Sequence, residues 1–149
     1  MRDFKIIISV GAPGLKKFNE KISNGELVLP NNILLRASVP QLEVLKRADL
    51  FITHCGMNST LETIKYAVPV VALPLNVDQP LNAFRICDEL KFGVCLDPES
   101  FTIDKLNDSI DQVLSDARFK ANIERMSKIS AKYKGGINGA KILTDYLYE

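Results

Sequence analysis

The segment FITHCGMNSTLE, residues 51–62, sets the chain's single histidine beside a cysteine, a glycine and several hydroxyl and amide side chains. Such a set could supply a Cys–His nucleophilic pair, a metal site or a site for a phosphate group. The metal site is disfavoured, because one histidine and three cysteines that lack a C-x-x-C pair offer few closely spaced ligands. The nucleophilic pair is disfavoured because His54 and Cys55 are adjacent at the end of a predicted strand, where neighbouring side chains point to opposite faces.

The phosphate site follows from the way the next helix is predicted to begin. A strand ends at Thr53, Gly56 permits a tight turn or a close approach to a ligand, and a helix begins around Asn58. The first N–H groups of a helix have no partner within it, and the helix dipole adds partial positive charge, so this turn suits a phosphate or diphosphate. The side chains that could add hydrogen bonds to the phosphate or to an attached ribose are those of His54, Ser59, Thr60 and Glu62.

A second polar turn, LNVDQ at residues 75–79, follows the next predicted strand. Asp78 and Gln79 open a helix there, and Asn82 lies one turn further along. Paired acid and amide side chains suit sugar hydroxyls, each of which can take several hydrogen bonds. Ordinary helix capping is the alternative for both turns, because Asn, Ser and Asp are common cap residues and Pro80 fits a first helical turn.

Strands and helices alternate along the chain. Apolar runs predict the strands KIIISV, ILLRAS, DLFIT, VPVVAL and GVCL, the first of them a buried strand that GAPG then breaks. Helical periodicity appears in PQLEVLKRA (40–48), MNSTLETIKYA (57–67), QPLNAFRICDELKF (79–92) and three further segments from residue 102 onward. The predicted fold class is therefore α/β: an open, mostly parallel, Rossmann-like sheet with helices on both faces, which binds ligands beyond the carboxyl ends of its strands.

Three local features of the helices can also be predicted. In the helix over 57–67, Leu61, Ile64 and either Tyr66 or Ala67 should face inward because they share the apolar face. Thr102 should be the N-cap of the helix that follows it. Gly135 and Gly136 should end the helix that begins at residue 117.

Composition restricts the class of protein. With 149 residues, 46% of them hydrophobic and 25% charged, the chain is expected to form one globular domain, residues 1–149. A net charge of +1 with scattered lysines gives no reason to expect nucleic acid, and no apolar run is long enough for a transmembrane segment. Without a secretory signal, Cys55, Cys87 and Cys95 are expected to be buried, reduced thiols of a cytoplasmic protein.

Residues 51–79, FITHCGMNSTLETIKYAVPVVALPLNVDQ, resemble the signature of the family 1 glycosyltransferases, which are of the UDP-glycosyltransferase type and have the two-domain GT-B fold. The resemblance is strongest to the macrolide type of bacterial enzyme and extends from about residue 5 to the C-terminus. A long motif matched at many points is far more specific than a short pattern. The matching positions are His54, Gly56, Ser59, Glu62, Pro69, Pro74, Asp78 and Gln79.

The resemblance implies that residues 1–149 form the nucleotide-sugar donor-binding domain, the C-terminal half of such an enzyme. His54, with Asn58 and Ser59, would bind the diphosphate of the donor, at the turn that contains Gly56. Glu62 would accept hydrogen bonds from the ribose hydroxyls.

The resemblance also implies positions for the base and the sugar. The segment from Val39 to Gln41 would frame the base, and Asp78 and Gln79 would bind the sugar. Ser38 stands where plant members of the family have a base-stacking tryptophan, so a UDP-sugar and a dTDP-sugar are both open as donors.

The family's first donor-domain strand and its N-terminal acceptor domain have no counterpart in this sequence, since KIIISVG resembles the second strand of the donor domain. The catalytic base is therefore expected in that N-terminal domain, with no catalytic residue, metal or cofactor in this chain. The expected function is donor binding for an inverting transferase that moves a hexose to a hydroxyl of a small lipophilic acceptor, with this chain alone inactive. The alternative is a stand-alone nucleotide-sugar-binding or partner-docking module, or one subunit of a split glycosyltransferase.

Overall fold

The computed structural model describes residues 4–148. The chain divides into two compact units, one ending at Val44 and the other beginning at Leu45. The first unit contains two parallel strands, because an α-helix carries the chain back between them. Its elements are β1 (Ile6–Ser9), α1 (Gly11–Ser23) and β2 (Ile33–Arg36), and α2 (Gln41–Leu45) spans the boundary in the sequence.

The first unit departs from prediction at α1. GAPG does end the strand, as predicted, but it also begins a helix, α1, that was not predicted. Gly11 has a φ of 71°, a left-handed conformation that glycine adopts easily and that turns the chain from strand into helix. Pro13 lies in the first helical turn, where its missing N–H removes no intrahelical hydrogen bond.

The predicted burial of the first strand is also wrong. Ile6, Ile7 and Ile8 are 37%, 46% and 38% exposed. The β-branched run specifies the strand conformation, but burial requires a neighbour that covers the strand. Helix α1, every residue of which is described, buries none of its side chains.

The second unit is built on a sheet of three parallel strands in the order β3-β4-β5. Phe51 pairs with Val70 and Thr53 with Ala72, so β3 and β4 end at the same edge of the sheet. The strands are β3 (Phe51–Thr53), β4 (Val70–Ala72) and β5 (Gly93–Cys95). The helices are α3 (Met57–Tyr66), α4 (Gln79–Phe84) with a π-helical turn at Arg85–Glu89, α5 (Ile103–Ser115), α6 (Ala117–Ala131) and α7 (Gly135–Tyr148).

Both faces of this sheet are covered, as predicted. Successive side chains of β4 point to opposite faces, so Val70 and Ala72 enter one core cluster and Val71 enters another. The first cluster includes Phe92, which is fully buried, and residues of α3, α4 and α6. The second cluster includes Val113 of α5. The parallel α/β class predicted from the sequence is confirmed.

The local helix predictions have mixed outcomes. Thr102 is the N-cap of α5, and its hydroxyl accepts a hydrogen bond of 3.2 Å from the backbone N–H of Lys105. Gly135 does not end a helix but begins α7, because Lys134 itself adopts the left-handed conformation between the two helices, with a φ of 44°. Of the described helices, none combines the length and apolar character needed to cross a membrane.

The inward face of α3 differs from the prediction at one position. Ile64 is 7% exposed and packs in the core as predicted, but Leu61 is 55% exposed. The buried stripe is centred near Thr63, Ile64 and Ala67, and Leu61 is rotated to one side of it, since each residue advances a helix by about 100°. The apolar pattern therefore predicted Leu61 on the inward face, whereas in the packed structure Thr63 is the buried residue.

Candidate functional site

The turn between β3 and α3 is tightly held. Cys55 is fully buried and left-handed, with a φ of 62°. Its N–H donates to the Thr53 hydroxyl oxygen at 3.2 Å. Its carbonyl oxygen accepts from Asn82 Nδ2 at 3.0 Å and from the Thr60 hydroxyl at 3.4 Å. Non-glycine residues at positive φ are uncommon, and these bonds stabilise the conformation here.

His54 and Gly56 flank Cys55 and lie close together. A Cβ atom built on Gly56 would be 2.6 Å from His54 Nε2, so the imidazole occupies the space that a side chain at position 56 would need. Gly56 is the N-cap of α3 and has φ −60° and ψ 151°, a conformation open to any residue. Glycine is therefore needed at position 56 because it leaves space for the His54 imidazole. Without a side chain there, His54 can lie at the N-terminus of α3.

The first turn of α3 presents the group of residues predicted to bind an anion. The first intrahelical hydrogen bond runs from Thr60 N to Gly56 O at 2.9 Å. The N–H groups before it belong to the positive end of the helix dipole. Asn58 is exposed, and Ser59 and Glu62 are half-buried. Asn58 and Glu62 are four residues apart and lie on one face of the helix.

Two details correct the sequence analysis of α3. Capping by Asn58 does not occur, because the N-cap is Gly56 and Asn58 lies inside the helix. The Thr60 hydroxyl, expected to face a ligand, instead donates to the carbonyl oxygen of Cys55. The Thr60 side chain therefore stabilises the turn. The sequence position of Thr60 did not indicate this role.

The second polar turn, between β4 and α4, is joined to the first through Asn82. Asp78 holds the N-cap position of α4, but its carboxylate makes no capping hydrogen bond to the described backbone. One of its oxygens, Oδ2, accepts from Asn82 Nδ2 at 2.9 Å. Asn82 was a candidate for sugar recognition, but it is 5% exposed and bonded internally. The structure thus brings the His54 and Asp78 turns together at one edge of the sheet.

Gln79 stabilises the same loop. Its Oε1 accepts from the N–H groups of Leu75, at 2.8 Å, and Asn76, at 3.3 Å. Within this loop Val77 has a φ of 58° and is 90% exposed. A β-branched residue in the left-handed region is strained, and such strain is found at functional sites more often than elsewhere.

The segment predicted to frame the base, together with Ser38 beside it, belongs to the other unit. Ser38 and Val39 lie between β2 and α2, and Gln41 is the first residue of α2. Ser38 is exposed, whereas Val39 and Gln41 are half-buried. Their roles stay predictions.

The thiols are all free, but only Cys55 is buried as predicted; Cys87 is half-buried and Cys95 is exposed. Burial raises the pKa of the Cys55 thiol from 9.0 to about 12, with a smaller contribution from Cys95. At neutral pH this thiol is protonated and is not a nucleophile. His54, by contrast, is exposed, so the two adjacent side chains lie in different environments. Among the described residues, no group of three or more His, Cys, Asp or Glu side chains could hold a metal ion.

Comparison with known proteins places this chain in a family. A model described as "UDP-glucoronosyl and UDP-glucosyl transferase" matches residues 8–133. The chain belongs to this family. The resemblance found in the sequence is therefore confirmed.

Similar proteins include glycosyltransferases that are longer than this chain. NDP-glycosyltransferase YjiC of Bacillus subtilis is 44% identical over 75% of this chain and 28% of its own length. The solved glycotransferase of kitacinnamycin superposes with a TM-score of 0.81 and 28% identity, over 93% of this chain and 34% of that one. Os79 from O. sativa, solved in complex with UDP, superposes with a TM-score of 0.71 and 28% identity, over 82% of this chain and 29% of that one.

These solved family members support the GT-B type of fold predicted from the sequence. The chain spans about a third or less of the length of the proteins it matches.

Proposed function

We propose that the second unit binds the diphosphate and sugar of a nucleotide-sugar donor for glycosyl transfer. The observation that carries the proposal is the meeting of two polar turns at one edge of the sheet, where β3 and β4 both end. Ligands of parallel α/β sheets bind beyond the carboxyl ends of the strands. The complex of Os79 with UDP, a 28% identical family member, supports a nucleoside diphosphate as the core of the ligand.

In this proposal the first turn binds the diphosphate and ribose. The N-terminus of α3 attracts the negative charge, and His54, held over Gly56, donates to a phosphate oxygen. Asn58 and Ser59 add hydrogen bonds from the first helical turn. Glu62, one turn further along, accepts from the ribose hydroxyls, because a carboxylate can accept from two hydroxyls at once.

The second turn binds the sugar. The Asp78 carboxylate accepts from sugar hydroxyls. Gln79 uses its amide oxygen to hold the loop, and its amide nitrogen donates one hydrogen to Asn76 Oδ1 at 3.5 Å, so the second hydrogen is the one that donates to the sugar. For Ser38, Val39 and Gln41, which belong to the first unit, a role at the base stays the expectation that the family resemblance gives.

The proposed reaction is an inverting, metal-independent transfer of a hexose to a hydroxyl of a small lipophilic acceptor. The positive end of α3 stabilises the charge that develops on the diphosphate leaving group. A base deprotonates the acceptor for attack at the anomeric carbon. We place this base in an N-terminal acceptor domain or subunit, so this chain alone is inactive.

Titration calorimetry of the 149-residue chain with UDP, UDP-glucose and dTDP-glucose tests the proposal and identifies the preferred base. Glu62→Ala should weaken UDP binding about tenfold to a hundredfold, because a hydrogen bond to a charged group contributes about 1.5–3 kcal/mol. Glu124→Ala, a matched change at an exposed position of α6, should leave binding unchanged. Absence of binding to all three ligands by protein that is folded by circular dichroism would refute the proposal.

A further inference from the structure

Asn82 bridges the two turns of the candidate site without being exposed. It lies in α4, is 5% exposed, and its single amide nitrogen donates to two acceptors. One acceptor is the Cys55 carbonyl oxygen, at 3.0 Å, in the turn after β3. The other is Asp78 Oδ2, at 2.9 Å, in the turn after β4. An amide nitrogen carries two hydrogens, so both donors of this group are used.

The bond to Cys55 orients the peptide that follows it. A trans peptide is planar, with its C=O and N–H pointing in opposite directions. Asn82 and Thr60 both donate to the Cys55 carbonyl oxygen, so the N–H of Gly56 is directed away from them. Gly56 is the N-cap of α3 and lies under the His54 imidazole. The orientation of this peptide therefore affects the groups proposed to meet the diphosphate.

The bond to Asp78 fixes the rotation of its carboxylate. A hydrogen bond to a charged carboxylate is stronger than a hydrogen bond between neutral groups, so it holds the carboxylate more firmly. Asp78 is otherwise an exposed side chain at a helix start, where it makes no capping bond to the described backbone. The second donor of Asn82 thus restricts the one acidic group proposed to bind the sugar.

We propose that Asn82 is a positioning residue: it holds the diphosphate turn and the sugar-binding carboxylate in one fixed arrangement and touches no ligand itself. The inference rests on the proposed function. It explains why an amide is present, since an aspartate of the same size would offer no donor to either acceptor and would repel Asp78.

The test is calorimetry of the full chain with UDP and with UDP-glucose, read as the ratio of the two dissociation constants. Asn82→Asp should weaken UDP binding and shift this ratio against UDP-glucose by about tenfold, the direction expected also for Asp78→Ala. Because Asn82 acts through Asp78, the double variant should shift the ratio no further than Asp78→Ala does. Asn82→Ala, which also removes both donors, replaces Asn82→Asp if the latter does not fold.

Asn122→Asp is the matched control. Asn122 Nδ2 also donates to a backbone carbonyl, that of Lys91 at 2.8 Å, but it lies on α6 and outside the two turns. Both changes should lower the melting temperature, and only the change at Asn82 should alter the ratio. A folded variant at position 82 with an unchanged ratio and unchanged UDP affinity would overturn the positioning role alone. Failure of the wild-type chain to bind any of UDP, UDP-glucose and dTDP-glucose would overturn the proposed function and this inference with it.

Discussion

Replacement of Gly56 by alanine is expected to displace the His54 imidazole and leave the fold intact. The new Cβ atom would be 2.6 Å from His54 Nε2, which is closer than real Cβ contacts come, and 3.3 Å from Cδ2, which is a tight contact. Alanine can adopt the backbone conformation at position 56, φ −60° and ψ 151°, without strain. The ring must therefore move, and it can do so cheaply because His54 is an exposed side chain.

The magnitude follows from the contact that the ring would lose. A hydrogen bond to a charged phosphate contributes about 1.5–3 kcal/mol, so UDP binding should weaken about tenfold to a hundredfold. The free energy of unfolding should fall by no more than about 1 kcal/mol, the usual effect of alanine at an N-cap position. The loss in binding should thus be larger than the loss in stability.

The assay is calorimetry with UDP on the wild type, Gly56→Ala, His54→Ala and the double variant. Because Gly56→Ala acts by moving His54, the double variant should bind UDP no more weakly than His54→Ala. Gly139→Ala is the control, since a Cβ atom there would meet no atom within 4 Å.

Two results would contradict this reasoning. If Gly56→Ala bound UDP as tightly as the wild type while His54→Ala did not, the imidazole would not need its position over Gly56. If the losses of the two single variants added in full, Gly56 would contribute to binding independently of His54. Urea unfolding of each variant supplies the stability comparison.

Three predictions concern stability, measured by denaturant unfolding. Gly93→Ala should destabilise the protein by about 1–3 kcal/mol or more, because the new Cβ atom would lie 2.5 Å from Val70 Cγ2 and 2.7 Å from Val70 O. Gly139→Ala should instead stabilise the protein by about 0.5–1 kcal/mol, because glycine is unfavourable inside a helix and the new Cβ atom would meet no atom within 4 Å. Thr63→Val should leave stability unchanged or raise it by about 1 kcal/mol, since the buried Thr63 hydroxyl has no hydrogen-bond partner among residues 4–148. A clear loss of stability would mean that the hydroxyl does have a hydrogen-bond partner. Burial raises the pKa of Cys55 from 9.0 to about 12, so above pH 9.0 the unfolded thiol loses its proton while the folded thiol keeps it. The free energy of unfolding should therefore fall by up to about 1.4 kcal/mol per pH unit above pH 9.0. Cys55→Ala should reduce that slope.

Much of the fold was readable from the sequence. The apolar runs that became β2 to β5 and the helical periods that became α3 to α6 are local patterns, so their types could be assigned without knowing their neighbours. Thr102 was assigned as an N-cap for the same reason. Helix α1 was missed because GAPG has the composition of a turn, although glycine and proline are both tolerated in a first helical turn.

The sequence by itself determined the residue types of the candidate site: a histidine and glycine before a helix start, a glutamate one turn inside it, and an acid–amide pair in the next turn. Only the tertiary structure decided how they are arranged. That His54 lies over Gly56, that Thr60 and Asn82 face inward, and that Leu61 and the isoleucines of β1 are exposed all depend on which surfaces meet. A periodic pattern specifies the direction of a side chain relative to its own helix or strand, but contact partners far apart in sequence are set only when those elements pack together.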